Sequence, residues 1–319
     1  MQQPPDPSRR RRWRSVLVLL ALLLGLPAAG FAVAAHLAWS GVARVDLAST
    51  MVGAPSGTNY LIVGTDSRSG VATDVENANV IFGPTVGGER TDTIAVLRLE
   101  GDRVSLLAIP RDLFVPLAGG ASNRINAAFS LGGPTALVET VQGELGIGID
   151  HYLEVDLAGF LALVDALGGV TVEFAHPAFD ARSGLAIDAA GPVRLDGSAA
   201  LAYVRSRRYT EMIDGDAVTD ATADLGRVRR QQRFLAALME ALGTERNPFV
   251  LLGTLRAVAG TVTVDDTMTV RDVAALGLAL RGARPLTATV PTARSITSTG
   301  QDVLVLTPES ATVLADFRG

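Results

Sequence analysis

At 319 residues the chain is long enough for one large globular domain with a substantial core and an additional terminal element. It contains no cysteine, which excludes disulfides, thiolate metal sites and a thiol nucleophile, so any metal must rest on oxygen or histidine ligands. All 28 basic residues are arginine against 33 acidic residues, a composition bias rather than the mark of one chemistry.

Residues 9–14 read RRRRWR and run straight into an uncharged stretch over residues 15–39, long enough to cross a bilayer once. The arginines orient this span: residues 1–14 form a basic cytoplasmic tail, 15–39 a single transmembrane anchor, and the rest lies outside the cell membrane. A cleaved signal peptide and a buried soluble helix are the competing readings; the apolar stretch exceeds the roughly 7–15 residues of a signal-peptide core. Beyond residue 14 the chain carries 23 basic and 32 acidic residues, a balance of −9. Such a surface is a poor general binder of nucleic acid, so an anionic ligand must meet a local arginine cluster.

Residues 40–58, with Gly, Ser, Pro and Thr, read as a linker, and 59–319 as one extracytoplasmic domain without an internal repeat. NYLIVGTD is the first strand, leaving Asp66 and Arg68 just past its end. The polar stretch 69–89 is too long for a tight turn and is a candidate functional loop. TIAVLRL and VSLLAIP then form a hairpin about Gly101 and Asp102, so that Glu100 pairs with Arg103. Counting outward sets Asp92 opposite Arg111, with Arg90 on the same face as Asp92. A simple cross-strand salt bridge is the bland explanation of that cluster.

Both faces of this hairpin are apolar, as in central strands covered by helices on each side. Helical patterns at about 126–145 and 157–167, with the strand HYLEV between and VTVEF after, indicate an α/β fold. His151 is read as structural, and His176 as a loop residue. Asp196 caps a helix ending near Arg205 and Arg207, two residues apart in an extended exit. A long helix runs from about residue 222 to 242 and brings Arg227, Arg229 and Arg230 into its first turns, with Gln231 one turn from Arg227. Cations are unfavourable at a helix N-terminus, and a bound anion such as phosphate is the physical remedy; an arginine-rich solvated face is the alternative. Two further helices, the strands LTATVP and DVLVLT and a short helix complete the chain. Asp66 and Asp92 with several arginines form an inventory suited to a pyrophosphate and a magnesium ion, which prefers oxygen ligands and retains waters and phosphates.

In this order, YLIVGTDSR, RTDTIAVL, VSLLAIPRD, NRINAAF, GIDHYLEVDLAGFLALVDALGGV, LDGSAALAYVRSR and DLGRVRRQQRFL resemble the LytR-CpsA-Psr family over roughly residue 59 to the C-terminus. The resemblance implies a three-layer α/β/α sandwich on a mixed central sheet, preceded by one transmembrane helix. It implies a phosphotransferase that moves a glycopolymer from a polyprenyl-pyrophosphate carrier to a peptidoglycan hydroxyl, with a greasy pocket for the lipid. Carried over by motif, Asp66 and Asp92 would hold magnesium, or manganese in its place. Arg68, Arg90, Arg111, Arg205, Arg207, Arg227, Arg230 and Gln231 would grip the pyrophosphate. Asp92, Asp224 and Arg111 would act in the chemistry, with Asp92 or Asp224 taking the acceptor's proton. The chain departs from the family pattern in three places. Arg124 stands where lysine is usual, the stretch from Arg207 to Asp224 is long and holds Asp214, Asp216 and Asp220, and Ala223 replaces a glycine. The additional C-terminal domain of some members is not expected. A polyprenyl-pyrophosphate hydrolase and a non-catalytic binding regulator of polyprenyl lipid or wall polymer remain open as rival readings.

Overall fold

The computed structural model describes residues 29–66, 91–222 and 224–319. Residues 29–40 form helix α1 and lead into strand β1 (Ala43–Val45). Then come β2 (Thr58–Thr65), β3 (Thr91–Glu100), β4 (Arg103–Ile109), β5 (Phe114–Pro116), β6 (Ser122–Arg124), helix α2 (Asn126–Leu145), β7 (His151–Val155) and α3 (Leu157–Ala166). The middle of the chain forms β8 (Val170–Phe174), β9 (Ala178–Asp180), β10 (Leu185–Ile187), β11 (Gly191–Leu195), α4 (Gly197–Arg205), β12 (Thr210–Ile213), β13 (Asp216–Thr219) and α5 (Asp224–Thr244). The last part forms α6 (Pro248–Val258), β14 (Val262–Asp265), α7 (Val270–Ala279), β15 (Leu286–Thr289), β16 (Thr292–Ile296), β17 (Asp302–Leu306) and α8 (Ser310–Arg318).

Seven strands build a mixed sheet in the order β1-β14-β7-β2-β3-β4-β15. Successive residues of its strands enter different cores, as the two-residue period of a strand requires. Leu61, Val63, Ile94, Val96, Leu107 and Ile109 face one side, against Leu137, Val141 and Leu145 of α2 and Leu314 and Phe317 of α8. Tyr60, Ala95, Leu97, Val104 and Leu106 face the other, against Met239 of α5 and residues of α6 and α7. Each fully buried Leu or Ile contributes about 1.5–3 kcal/mol, so the two-sided hairpin is a central source of stability. A separate cluster lies between β8, β11, α4 and the inner face of α5, where Phe234 and Leu238 pack on Tyr203 and Phe174. The strand VTVEF belongs here, paired with β11 and not with the central sheet.

The expected hairpin register is found: Glu100 faces Arg103, Ile94 faces Ile109, and Gly101 takes a φ of +57° that glycine adopts without steric cost. One difference from the sequence reading matters. Residues 43–45, read as linker, form the edge strand β1 beside β14, and Leu47 is fully buried, so the folded unit begins before residue 59. The expected membrane span over residues 15–39 falls mostly outside the described residues; among the described residues no helix is long and apolar enough to cross a membrane.

Candidate functional site

The C-terminal end of β2, the first residues of β3, the end of β4 and the start of α5 meet at one end of the sheet. Gly64 pairs with Thr93 and Thr65 with Thr91, so Asp92 is the extra residue of a β-bulge. A bulge re-aims the local backbone, which replaces the simple alternation expected for Arg90 and Asp92. The ladder between β3 and β4 stops at Ile94 and Ile109, because Pro110 has no N–H to continue it. Asp92 and Arg111 are therefore not a ladder pair, contrary to the register counted from the turn.

Arg111 instead lies in a turn secured to α2: its carbonyl accepts from Asn126 N at 3.2 Å, and Ile125 N donates to Leu113 O at 2.7 Å. Its guanidinium is 3.5 Å from Asp112, which also meets Arg124 at 3.6 Å. Arg124, in the position where lysine was expected, also donates to Asp302 O.

Arg111, Arg227 and Gln231 line a small cleft between the hairpin and α5. Its walls are largely apolar, with Ile94, Ala95, Leu106, Ile109 and Leu235 among them. Arg227 is buried at 4% exposure although it sits in the first turn of α5. Two guanidinium groups and an amide are a donor set of the kind that holds a phosphate group.

Arg230 is committed elsewhere. It is 5% exposed, pairs with Asp220 at 3.0 Å, donates to Ser206 O at 2.7 Å and stacks over the Tyr209 ring at 4.7 Å. Burial pushes Tyr209 well above the usual phenol range. The Asp220 carboxyl is held below its usual range: burial opposes this, and hydrogen bonds from Thr222 and Arg230 outweigh it. In this structure Arg230 ties the loop after α4 to α5. Gly226 allows this, since a methyl there would overlap the Asp220 carboxylate.

The same loop is held from the other side by Asp180, which sequence reasoning missed. This carboxylate is 2% exposed and accepts from Ser206 Oγ at 2.7 Å, Arg207 N at 3.0 Å, Arg208 N at 2.8 Å and Arg182 N at 2.9 Å. Burial opposes its charge, yet these donors keep its pKa below the usual value. Ser206, pinned by Asp180 and Arg230, lies between Arg205, the last residue of α4, and exposed Arg207. Asp196 caps α4 as expected, accepting from Ala199 N.

The long stretch before Asp224 is also explained. β12 and β13 form a hairpin turned by Asp214 and Gly215, with φ of +53° and +94°. The Asp-Gly pair between strand-like runs was the signal that could have found it. Asp224 begins α5, and Asp66 is half-buried just after β2. Nothing is described of the Asp92 and Asp224 side chains, and Arg68 and Arg90 lie outside the described residues.

Among the described residues no group of three His, Asp or Glu side chains forms a ready cage for a metal. Among the described residues the donors at this strand end are oxygens: Asp66, with the Thr65 and Thr91 hydroxyls buried and without a hydrogen-bond partner at the bulge. That donor set fits a hard cation that completes its shell with water and phosphate. His151 is structural, as expected: its Nδ1 lies 3.2 Å from Asp265, which is fully buried.

The LytR_cpsA_psr family model matches residues 40–313. The chain belongs to the LytR_cpsA_psr family. This member is 41% identical over 256 residues to the probable cell wall biosynthesis protein LcpB of Corynebacterium glutamicum, covering 78% of the chain and 58% of LcpB. It is 35% identical over 170 residues, half of the chain and 40% of the relative, to TagV of Bacillus subtilis, named as a polyisoprenyl-teichoic acid to peptidoglycan teichoic acid transferase. The family member therefore spans about half the length of the curated relatives it matches. Its fold matches the crystallised LytR-Csp2A-Psr enzyme from Actinomyces oris at a TM-score of 0.68 and 30% identity, over 86% of the chain and 95% of that structure.

Proposed function

We propose that this protein is a membrane-anchored phosphotransferase that attaches a glycopolymer, carried on polyprenyl pyrophosphate, to a peptidoglycan hydroxyl during cell-wall assembly. The observation that carries the reading is the convergence of Arg111, Arg227 and Gln231 on the rim of an apolar cleft, in a chain of this family. The arginine-lined cleft mouth takes the pyrophosphate. Residues 15–39 anchor the chain as a single pass, with the domain on the extracytoplasmic side.

In the reaction the acceptor hydroxyl attacks the sugar-linked phosphorus. The bond to the bridging oxygen breaks, polyprenyl phosphate leaves with that electron pair, and the acceptor's proton passes to Asp92 or Asp224. Arg111 and Arg227 offset negative charge on the equatorial oxygens as the bond breaks, with Gln231 donating beside them. Arg205 and Arg207, presented by the loop clamped at Ser206, extend the same grip, together with Arg68 and Arg90. Asp66 and Asp92 would hold magnesium or manganese, which when bound supplies charge neutralisation on the phosphates.

The test is turnover of a synthetic polyprenyl-pyrophosphate glycan by the full-length protein in detergent, with a peptidoglycan oligomer, with and without magnesium. The expected result is metal-dependent glycan transfer to the oligomer that is lost in Asp92→Ala, while lipid binding persists. Release of glycan to water alone would make the protein a hydrolase, and bound lipid without turnover would make it a binding module.

A further inference from the structure

The apolar surface formed by α1 and the start of α6 has no role in the site. Val33 and Leu37 lie one helical turn apart on α1 and are 59% and 64% exposed. Phe249, in the first turn of α6, is 74% exposed, and its ring meets the edge of Phe31 at 6.3 Å with an interplanar angle of 88°. Phe31 and Val33 are two residues, about 200°, apart on α1, so Phe249 and the Val33–Leu37 pair flank the helix on opposite sides and the apolar surface wraps around it.

We propose that this surface lies against the lipid bilayer, with Phe249 inserted at its interface, so that the domain rests on the membrane without a flexible tether. The proposal rests on the reading of residues 15–39 as a membrane anchor. Its argument is one of length. A crossing needs about 20 residues at a rise of about 1.5 Å each, so a span that starts after Arg14 is completed near residue 34. By then the chain is already inside α1, and four residues later it enters the core. Ala38 and Trp39 are 8% and 7% exposed. Arg44 stacks over Trp39 at 5.2 Å and donates to Met268 O at 3.1 Å, and β1 pairs with β14 directly after.

The stretch expected to be a linker therefore offers no slack: the end of the span and the start of the fold share a helix. Phe31 falls within the counted span, and Phe249 packs on it. Aromatic rings are the side chains that favour the boundary between headgroups and acyl chains. A lipid surface is thus the occupant that the counting requires. A second protein on the same face would need the domain lifted off the membrane.

The absence of cysteine makes single-site labelling direct. Full-length Phe249→Cys, Val33→Cys, Leu20→Cys and Ile296→Cys would each carry an environment-sensitive fluorophore in nanodiscs made with ordinary or brominated phospholipid. Leu20 reports on the anchor, and Ile296, 75% exposed on β16, is a control for a site expected in water. An insertion depth of roughly 5–10 Å brings a label within reach of the bromines, so emission at 249 and 33 is expected to fall by about half, while 296 is unchanged. Quenching at 20 and 33 but not at 249 would overturn the proposal and leave the anchor standing. No quenching at any of these three would remove the anchor reading and the proposal together. Val33 falls within the counted span and reports on the anchor together with Leu20, so position 249 decides, and Arg246→Cys at the neighbouring exposed position stands in if Phe249→Cys fails to fold.

Discussion

Replacing Asp180 by Asn tests whether a buried carboxylate holds the arginine loop. The amide keeps the shape but has one oxygen, whereas Asp180 serves three donors through Oδ2 and a fourth through Oδ1. If the amide oxygen takes the Oδ2 position, its NH₂ faces Arg182 N, and one bond becomes a donor–donor contact. The three remaining bonds lose their charge assistance. A bond to a charged group is worth about 1.5–3 kcal/mol and a neutral one about 0.5–1.5 kcal/mol. The lost bond and three bonds each weakened by about 1–1.5 kcal/mol sum to about 4.5–7.5 kcal/mol, and relaxation of the loop towards water should reduce this to about 2–4 kcal/mol. That is a large part of the roughly 5–15 kcal/mol that keeps a domain folded.

Chemical denaturation of wild type and Asp180→Asn at neutral pH would measure the loss, and calorimetric titration with inorganic pyrophosphate would show whether the Arg205–Arg207 grip weakens with it. The pH dependence has a defined sign. The folded-state pKa of Asp180 is depressed, so its contribution is present above the unfolded carboxylate value of about 3.8 and is lost as pH falls through the folded value. The gap between the two proteins should close on acidification below about pH 4. A neutral-pH difference under about 0.5 kcal/mol, or pyrophosphate binding untouched by a large destabilisation, would refute the reasoning.

Gly226→Ala should destabilise the fold by about 1–3 kcal/mol despite alanine's better helix propensity, because Asp220 must rotate away and leave buried Arg230 unpaired. Denaturation midpoints would check this, and Gly253→Ala on the open face of α6, where an added methyl meets nothing, is the control expected to be neutral or stabilising. His151→Gln should show its largest stability deficit below about pH 6.5, shrinking as pH rises. Burial works against the imidazolium, but the Asp265 hydrogen bond and charge outweigh it and raise the folded pKa, so that stabilisation is lost as pH climbs through the raised value. Thermal melts from pH 5 to 9 would reveal the convergence.

Much of the architecture could be read from local pattern. The hairpin about Gly101 and Asp102, the cap at Asp196 and the runs that became α2, α3 and α5 all depend on interactions within a few residues. A period of two or 3.6 and a capping side chain carry that information in order along the chain. The ordered motifs also set the family, and with it the inventory of acids and arginines.

What the sequence could not determine was how that inventory is divided. Arg227 and Arg230 are three residues apart in one motif, yet Arg227 lines the cleft while Arg230 is taken up by Asp220, Ser206 and Tyr209. Asp180 reads as an ordinary loop acid until packing places it under Ser206, 26 positions away. The bulge at Asp92, the early stop at Pro110 and the recruitment of residues 43–45 into the sheet likewise depend on which partner lies alongside. A buried charge takes whichever counter-charge or donor the packing brings within about 3 Å, and that choice is long-range. Local periodicity placed the strands and helices; only the folded chain decided which charged groups tie loops together and which line the cleft.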